Sequence, residues 1–349
     1  MNTPQRRLKV AVVGTGHLGK QHARLYQSLP EAELLAIADL DLDRGRAVAE
    51  AHGTTAVASH EEIPRDVEAV SVAVPTREHF RVASYFIERG KHVLVEKPMT
   101  STIDEAKALV ELARDHNVVL QVGHVERFNP VLEAVDRFGI RPLFIEAHRI
   151  SPFRFRSADI GVVMDLMIHD LDIVFHLVNS KVSSFLATGV NVLGELEDIA
   201  NVRLVFESGC VANLTASRVA IKTQRTIRIF SRDSYVSLDY GMRKATMFRK
   251  AALLREGKLP LLTGAKAGAP PEDLDFRDLV ESQEIEIPDE EPLRRELASF
   301  VDSALHGKAP AVSGEEGLRA LEVSFAVVAE IRRYLDRIRN GDGSAPARE

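Results

Sequence analysis

A chain of 349 residues is longer than one hydrophobic core usually supports, so two domains are expected. With 45% hydrophobic residues, 28% charged residues and a formal charge of −6, it reads as an ordinary soluble globular protein with no electrostatic reason to bind nucleic acid. A single cysteine, Cys210, excludes an intramolecular disulfide and any multi-cysteine zinc site, which suits a reducing compartment.

The basic start followed by "LKVAVVG" is too short an apolar run for a signal core or a membrane span, and it reads as a strand. No later stretch approaches bilayer length, so a cytoplasmic protein without a membrane partner is expected. Up to about residue 125, strand-like runs ("LKVAVVG", "AELLAIAD", "AVSVAVP", "KHVLVEKP", "VVLQVGH") alternate with helix-like ones ("DRGRAVAEAHG", "REHFRVASYFIERG", "TIDEAKALVELARDHN"). Short apolar runs between amphipathic helices predict a parallel sheet covered on both faces, that is, a doubly wound α/β domain over residues 1–125.

Between the first strand and the first helix, "VAVVGTGHLGKQHA" spaces Gly14, Gly16 and Gly19 as G-x-G-x-x-G, with His17 and Leu18 inside the turn. The first glycine permits the tight turn and the second lets the backbone approach a pyrophosphate. The third lets helix pack on strand, and the helix N-terminus offers amide donors to the anion. Asp39 ends the next apolar strand, where a carboxylate bonds the adenosine ribose, so NAD is expected in preference to NADP, with Arg44 and Arg46 nearby weakening that preference. Two more strand ends complete a Rossmann-type site: Val74, Pro75, Thr76 and His79, then Glu96, Lys97 and Pro98. The plainer alternatives are a glycine-rich turn in a nucleotide-free domain and a surface lysine paired with Glu96.

Beyond residue 125 long strand-like runs follow one another ("PLFIEAHRI", "SSFLATGVNVL", "ANVRLVFESGCVANLTASRV", "RTIRIFSRDSYVSLDY", "ATMFRK"). They predict a second, α+β domain over residues 126–340 with a large, mostly antiparallel sheet. "MDLMIHDLDIVFH" predicts a helix over about 160–178, placed between the domains or against that sheet. At the helical period Asp165, His169, Asp172 and His176 fall on one stripe, with Asp170 pointing elsewhere. The stripe reads either as a solvated face or as a chemical one; Asp and His one turn apart also allow a zinc-dependent hydrolase. Residues 261–276 read as a surface loop, Ser313 and Glu316 as a capping box, and 341–349 as a frayed tail.

The G-x-G-x-x-G unit, the Glu-Lys-Pro at the fifth strand end and the Asp-x-x-x-His helix leading into an antiparallel sheet together resemble the Gfo/Idh/MocA oxidoreductase family, over about residues 7–335. The resemblance implies that Lys97, Asp165 and His169 form the catalytic set, with Asp172 a trailing acid and no metal. Met167 departs from the family's usual glycine there and implies a differently shaped pocket floor. His169 would take a hydroxyl proton as hydride leaves the carbon, Lys97 would hold the developing alkoxide and Asp165 would orient His169 or the sugar. Retention of all three argues against a catalytically silent NAD-binding regulator. Asp170 and His176 are assigned to structure.

Arg149, Arg154 and Arg156, interleaved with Phe153 and Phe155, form an arginine cluster running into that helix, which fits an anionic ligand or, more plainly, a loop paired with nearby acids. "GHVERFNP", "SPFRFRS" and "DLMIHDLD" are similar to the subgroup that oxidises the 3-hydroxyl of a UDP-N-acetylhexosamine to a 3-keto sugar. An aminotransferase then makes the 3-amino sugar for lipid A. That likeness implies Arg154 and Arg156 near the diphosphate and His124, Glu126, Arg127 and Asn129 near the sugar. A UDP-linked uronic acid, a free sugar and inositol remain as alternatives. The family further implies a homo-oligomer, dimer or tetramer, paired through the open face of the second sheet.

Overall fold

The computed structural model describes residues 6–153, 160–251 and 279–339. The chain divides into two units: Met1–Asn129 with Glu290–Phe325, and Pro130–Asp289 with Ala326–Glu349.

The first unit is built on strands β1 (Leu8–Val13), β2 (Ala32–Ala38), β3 (Thr55–Val57), β4 (Ala69–Val72), β5 (His92–Glu96) and β6 (Leu120–Gly123). Helices α1 (His17–Ser28), α2 (Leu42–Ala51), α3 (His79–Ile87) and α4 (Ile103–Asp115) connect them. All pairings are parallel, in the order β3-β2-β1-β4-β5-β6. The order reverses beside β1, which is where open α/β sheets bind ligands. β4 and β6 are buried at every position, as strands covered on both faces must be. Two of these helix starts are capped by side chains: Asp41 accepts from the Arg44 amide at 3.1 Å, and Thr102 with Glu105 forms a capping box.

Two late helices, α7 (Pro292–His306) and α8 (Gly314–Arg339), follow the second sheet in sequence. The sequence reading assigned both to a contiguous second domain beginning at residue 126. The observed units are discontinuous, because Leu293, Leu297, Phe300 and Val301 bury one face of α7 in the first unit's core with Leu8, Leu25, Tyr26 and Leu29. Glu316 and Ser313 close the expected capping box at the start of α8, with bonds of 2.9 and 3.3 Å.

The second unit contains α5 (Pro130–Asp136), β7 (Phe144–Ile150), a π-helical turn at Val163–Met167 continuing into α6 (Ile168–Val178), and β8 (Val182–Val190). Strands β9 (Ile199–Phe206), β10 (Val211–Ser217), β11 (Gln224–Phe230), β12 (Ser234–Asp239), β13 (Lys244–Lys250) and β14 (Val280–Ile285) complete an eight-stranded sheet. Its order is β14-β13-β12-β11-β7-β10-β9-β8; every pairing is antiparallel except β7 with β10, which are parallel. Ile145, Ala212, Leu214, Ile229, Val236 and Met247 bury one face, against which α5 and α6 pack. On the other face Phe230, Tyr235 and Phe248 stack in a row across three strands, with centroids 4.9 Å apart.

Candidate functional site

The β1–α1 turn depends on two glycines. Gly14 has φ +90°, and a Cβ there would lie 2.6 Å from the Ala73 carbonyl oxygen; one on Gly19 would lie 1.8 Å from the Gly14 oxygen. These are the tight turn and the close helix–strand approach that the G-x-G-x-x-G spacing requires. Beside the turn opens a cavity of about 440 Å³. Of the expected cofactor residues, Gly14, Gly16, Asp39, Val74 and Pro75 line it. His17, Leu18, Gly19, Thr76, His79, Glu96 and Lys97 lie outside that lining, with His17 exposed at the start of α1. Sequence reasoning missed Thr15, His60, Glu78 and Arg81 as lining residues; the strand-end rule, applied to β3 and to the turn after β4, could have found the last three.

Asp39 directly follows β2 and is buried. Its Oδ2 accepts from the Thr15 amide at 2.7 Å, from the Thr15 hydroxyl and from Arg44 Nε at 3.2 Å; its Oδ1 accepts from the Asp41 amide at 2.9 Å and Arg44 Nη2 at 2.6 Å. Burial opposes ionisation, but the hydrogen bonds from Arg44 and Thr15 outweigh it and hold the carboxyl below its usual range.

At the next strand ends the side chains hold one another. Glu96 Oε1 lies 2.9 Å from His22 Nε2 of α1, both buried, and the Glu296 carboxyl of α7 comes within 4.8 Å of them. A Cβ on Gly123 would sit 2.9 Å from Glu96 Oε2, so β6 needs a glycine to leave room for that carboxylate. Lys97 follows, half-buried, at the mouth of β5. His79, expected to meet the cofactor, is instead buried with Nδ1 2.9 Å from the Pro98 oxygen and Nε2 2.9 Å from the Val74 oxygen. It ties the β4 and β5 ends together. Burial pushes its imidazole below the usual histidine range.

The "GHVERFNP" segment forms a 3₁₀ turn, Val125–Phe128, packed on α7. His124, Glu126 and Arg127 are buried; Arg127 pairs with Glu316 at 3.1 Å, and Asn129 Nδ2 donates to Glu126 at 3.1 Å.

The 160–178 segment departs from a regular helix. The π turn carries Asp165, so Asp165, His169 and Asp172 do not share one evenly exposed stripe: Asp165 and His169 are half-buried and Asp172 is 1% exposed. A solvated face is therefore excluded for Asp172. Asp170 forms a buried, forked ion pair with Arg149 across to β7, with Nη2 to Oδ1 at 2.8 Å. Arg149 is thereby engaged by a carboxylate, but from a buried strand position and not from the solvated loop of the plainer reading. His176 bonds Asp136 at 2.9 Å. Arg154 and Arg156 lie outside the described residues. A framework the sequence did not reveal anchors the π turn. Glu197 Oε1 accepts from the Val163 amide at 3.3 Å, while Arg218, paired with Asp198 at 2.6 Å, donates to the Ile160 carbonyl at 2.5 Å. Among the described residues the His, Asp and Glu side chains placed to share one ion are His22, Glu96 and Glu296, none of them from the 165–176 segment. No helix among the described residues is long and apolar enough to cross a membrane.

Known proteins match both units. Residues 8–124 match the family described as "Oxidoreductase family, NAD-binding Rossmann fold", and residues 144–235 match the "GFO/IDH/MocA C-terminal domain". The UDP-N-acetylglucosamine 3-dehydrogenase of Acidithiobacillus ferrooxidans is 31% identical over 331 residues, covering 95% of this chain and 99% of that protein. Its solved structure superposes with a TM-score of 0.85 over the same shares of the two chains. An inositol 2-dehydrogenase of Rhizobium meliloti is 26% identical over 93% of this chain and 97% of its own length. Levoglucosan dehydrogenase, at 19% identity, 94% and 98% coverage and a TM-score of 0.79, shares the fold. With a glycine turn shaped for a dinucleotide and both family domains in place, the chain belongs to the Gfo/Idh/MocA family and is an NAD-binding oxidoreductase of the dehydrogenase type.

Proposed function

We propose that the protein oxidises the 3-hydroxyl of a UDP-N-acetylhexosamine, UDP-N-acetylglucosamine in the first instance, to the 3-keto sugar. The observation that carries this reading is 31% identity to a UDP-N-acetylglucosamine 3-dehydrogenase along 95% of the chain. Gly14, Gly16, Asp39, Val74 and Pro75 would hold NAD, which would supply the hydride acceptor. The chain's own residues handle the proton and the charge. His169 takes the hydroxyl proton, Lys97 donates to the oxygen as negative charge develops on it, and Asp165 orients the imidazole or the sugar. Arg154 and Arg156 are assigned to the diphosphate and His124, Glu126, Arg127 and Asn129 to the sugar. The product ketone suits an aminotransferase on the way to a 3-amino sugar for lipid A. Copies of the chain pair through the open sheet face, in the cytoplasm.

The test is NADH formation from purified protein and NAD with UDP-N-acetylglucosamine, its uronic acid, glucose and myo-inositol, with a ketone trap to pull the unfavourable oxidation. Turnover with a UDP-sugar alone, with the ketone located at C3, supports the proposal. Turnover with myo-inositol alone favours a second reading, which the 26% identity to an inositol 2-dehydrogenase keeps in play. His169→Ala is expected to abolish turnover while NADH still binds; normal turnover removes His169 from the proton-transfer role.

A further inference from the structure

The end of the second sheet at which β7 begins carries charged groups that the proposed reaction does not use. A cavity of about 260 Å³ opens there, lined by the segment after α5, the β11–β12 turn and the end of β13. Each segment contributes one arginine: Arg141, Arg232 and Arg249. Among the described residues none of these three guanidiniums forms an ion pair. The lining holds one carboxylate, Asp233, whose Oδ1 accepts from Lys250 Nζ at 2.7 Å. Of the neighbouring acids, Glu133 pairs with Arg137 at 4.0 Å, Asp136 bonds His176, and Glu281 stands opposite Arg249 in the β13–β14 register; none of them lines the cavity. Three guanidiniums against one engaged carboxylate leave the lining positive, in a chain whose formal charge is −6. Like charges gathered this way repel, so a counter-anion between them lowers their energy.

Two of the arginines are held in place. The Arg249 guanidinium lies 5.6 Å from the centroid of the Phe138 ring, a cation–π contact within the lining. Arg232 sits on a turn that its flanking serines close: the Ser231 amide donates to the Ser234 carbonyl at 2.8 Å and the Ser234 amide to Ser231 Oγ at 3.2 Å. A carboxylate offers two coplanar oxygens, enough for one guanidinium fork, whereas a phosphate group offers oxygens on several sides and suits forks arriving from three segments. Phe138, Ile140 and Met247 add apolar wall. We propose that this cavity binds a phosphate group, free or as a small monoester, through Arg141, Arg232 and Arg249. From here β7 runs roughly 20 Å to Ile150. Its far end is the one where Arg218, following β10, and Glu197, preceding β9, anchor the π turn, so the cavity is separate from Asp165 and His169. The inference depends on neither the cofactor nor the sugar.

The experiment is calorimetric titration of inorganic phosphate, phenyl phosphate and citrate, at fixed ionic strength and with and without NADH, into the full chain and into R141Q, R232Q, R249Q and R137Q. Far-ultraviolet circular dichroism checks that each variant is folded. The wild type is expected to bind phosphate or phenyl phosphate with a dissociation constant below about 1 mM; R141Q, R232Q and R249Q each raise it by roughly fivefold or more, and R137Q leaves it within about twofold. Tighter binding of phenyl phosphate assigns the cavity to a monoester with its organic part on the apolar wall, and binding no tighter than that of inorganic phosphate assigns it to the free anion; either supports the proposal. No saturable binding, unchanged affinity in R141Q, R232Q and R249Q, an equal loss in R137Q, or citrate bound as tightly as phosphate overturns it. Displacement of the phosphate by NADH also overturns it, since the anion then sits on the β1–α1 turn.

Discussion

Lys97 and Gly14 are each held by what surrounds them, one beside a buried carboxylate–imidazole bond and the other in a tight turn. Lys97 stands directly after Glu96, whose carboxylate is held by buried His22, so its backbone is anchored while its side chain is only half-buried. If Lys97 stabilises the developing alkoxide, Lys97→Ala lowers kcat by about a hundredfold or more. A rate that survives the change removes it from the reaction. Gly14 acts through the backbone. At φ +90°, and 2.6 Å from the Ala73 oxygen, an alanine Cβ has nowhere to go without moving the strand end that lines the cavity. Gly14→Ala is expected to weaken NADH binding by roughly tenfold or more, since the misplaced turn loses amide contacts to the pyrophosphate. Calorimetry with NADH checks it. The glycines and Asp39 were legible in sequence because their spacing encodes their geometry. The Glu96–His22 bond was not, because 74 residues separate its partners.

The π turn at Val163–Met167 and helix α7 each place side chains where a linear pattern could not. A Cβ on Gly161 would sit 2.0 Å from Glu197 Oε1 and 2.4 Å from its Cδ, so the carboxylate that bonds the Val163 amide would have to leave. If Asp165 and His169 act as proposed, Gly161→Ala lowers kcat while NADH affinity, which belongs to the other unit, stays unchanged. Equal loss of both would show general unfolding instead. Phe300 is fully buried in the first unit's core. Phe300→Ala is expected to cost about 3–5 kcal/mol of stability, read by urea unfolding, because it leaves a large cavity beneath β1.

Across the whole molecule, burial pushes the imidazoles of His60, His79 and His92 below the usual histidine range. In the unfolded chain the same rings titrate near about 6.5, so below that pH the unfolded state binds more protons and folding is disfavoured. Stability should thus decline as pH falls from about 7.5 to about 5.5, measured as Tm, and a flat Tm over that window would refute the assignment. Asp39 acts in the same sense at lower pH. Its folded carboxyl lies below the usual range, so its contribution is present above the unfolded value and is lost as pH falls through the folded one.

Periodicity and local turn chemistry were enough to read a parallel α/β unit, a glycine turn for a dinucleotide, a mostly antiparallel second sheet and the Ser313–Glu316 cap, because each depends on residues close together in the chain. Tertiary structure alone decided the contacts between distant segments. It returned α7 to the first core, saturated Asp39 with Thr15 and Arg44, paired Arg149 with Asp170, turned His79 into a clasp between two strand ends, and braced the π turn with Glu197 and Arg218. The physical reason is the same in each case. An apolar face or a buried charge must find a partner, but which one it finds depends on which residues the fold brings to hydrogen-bonding distance.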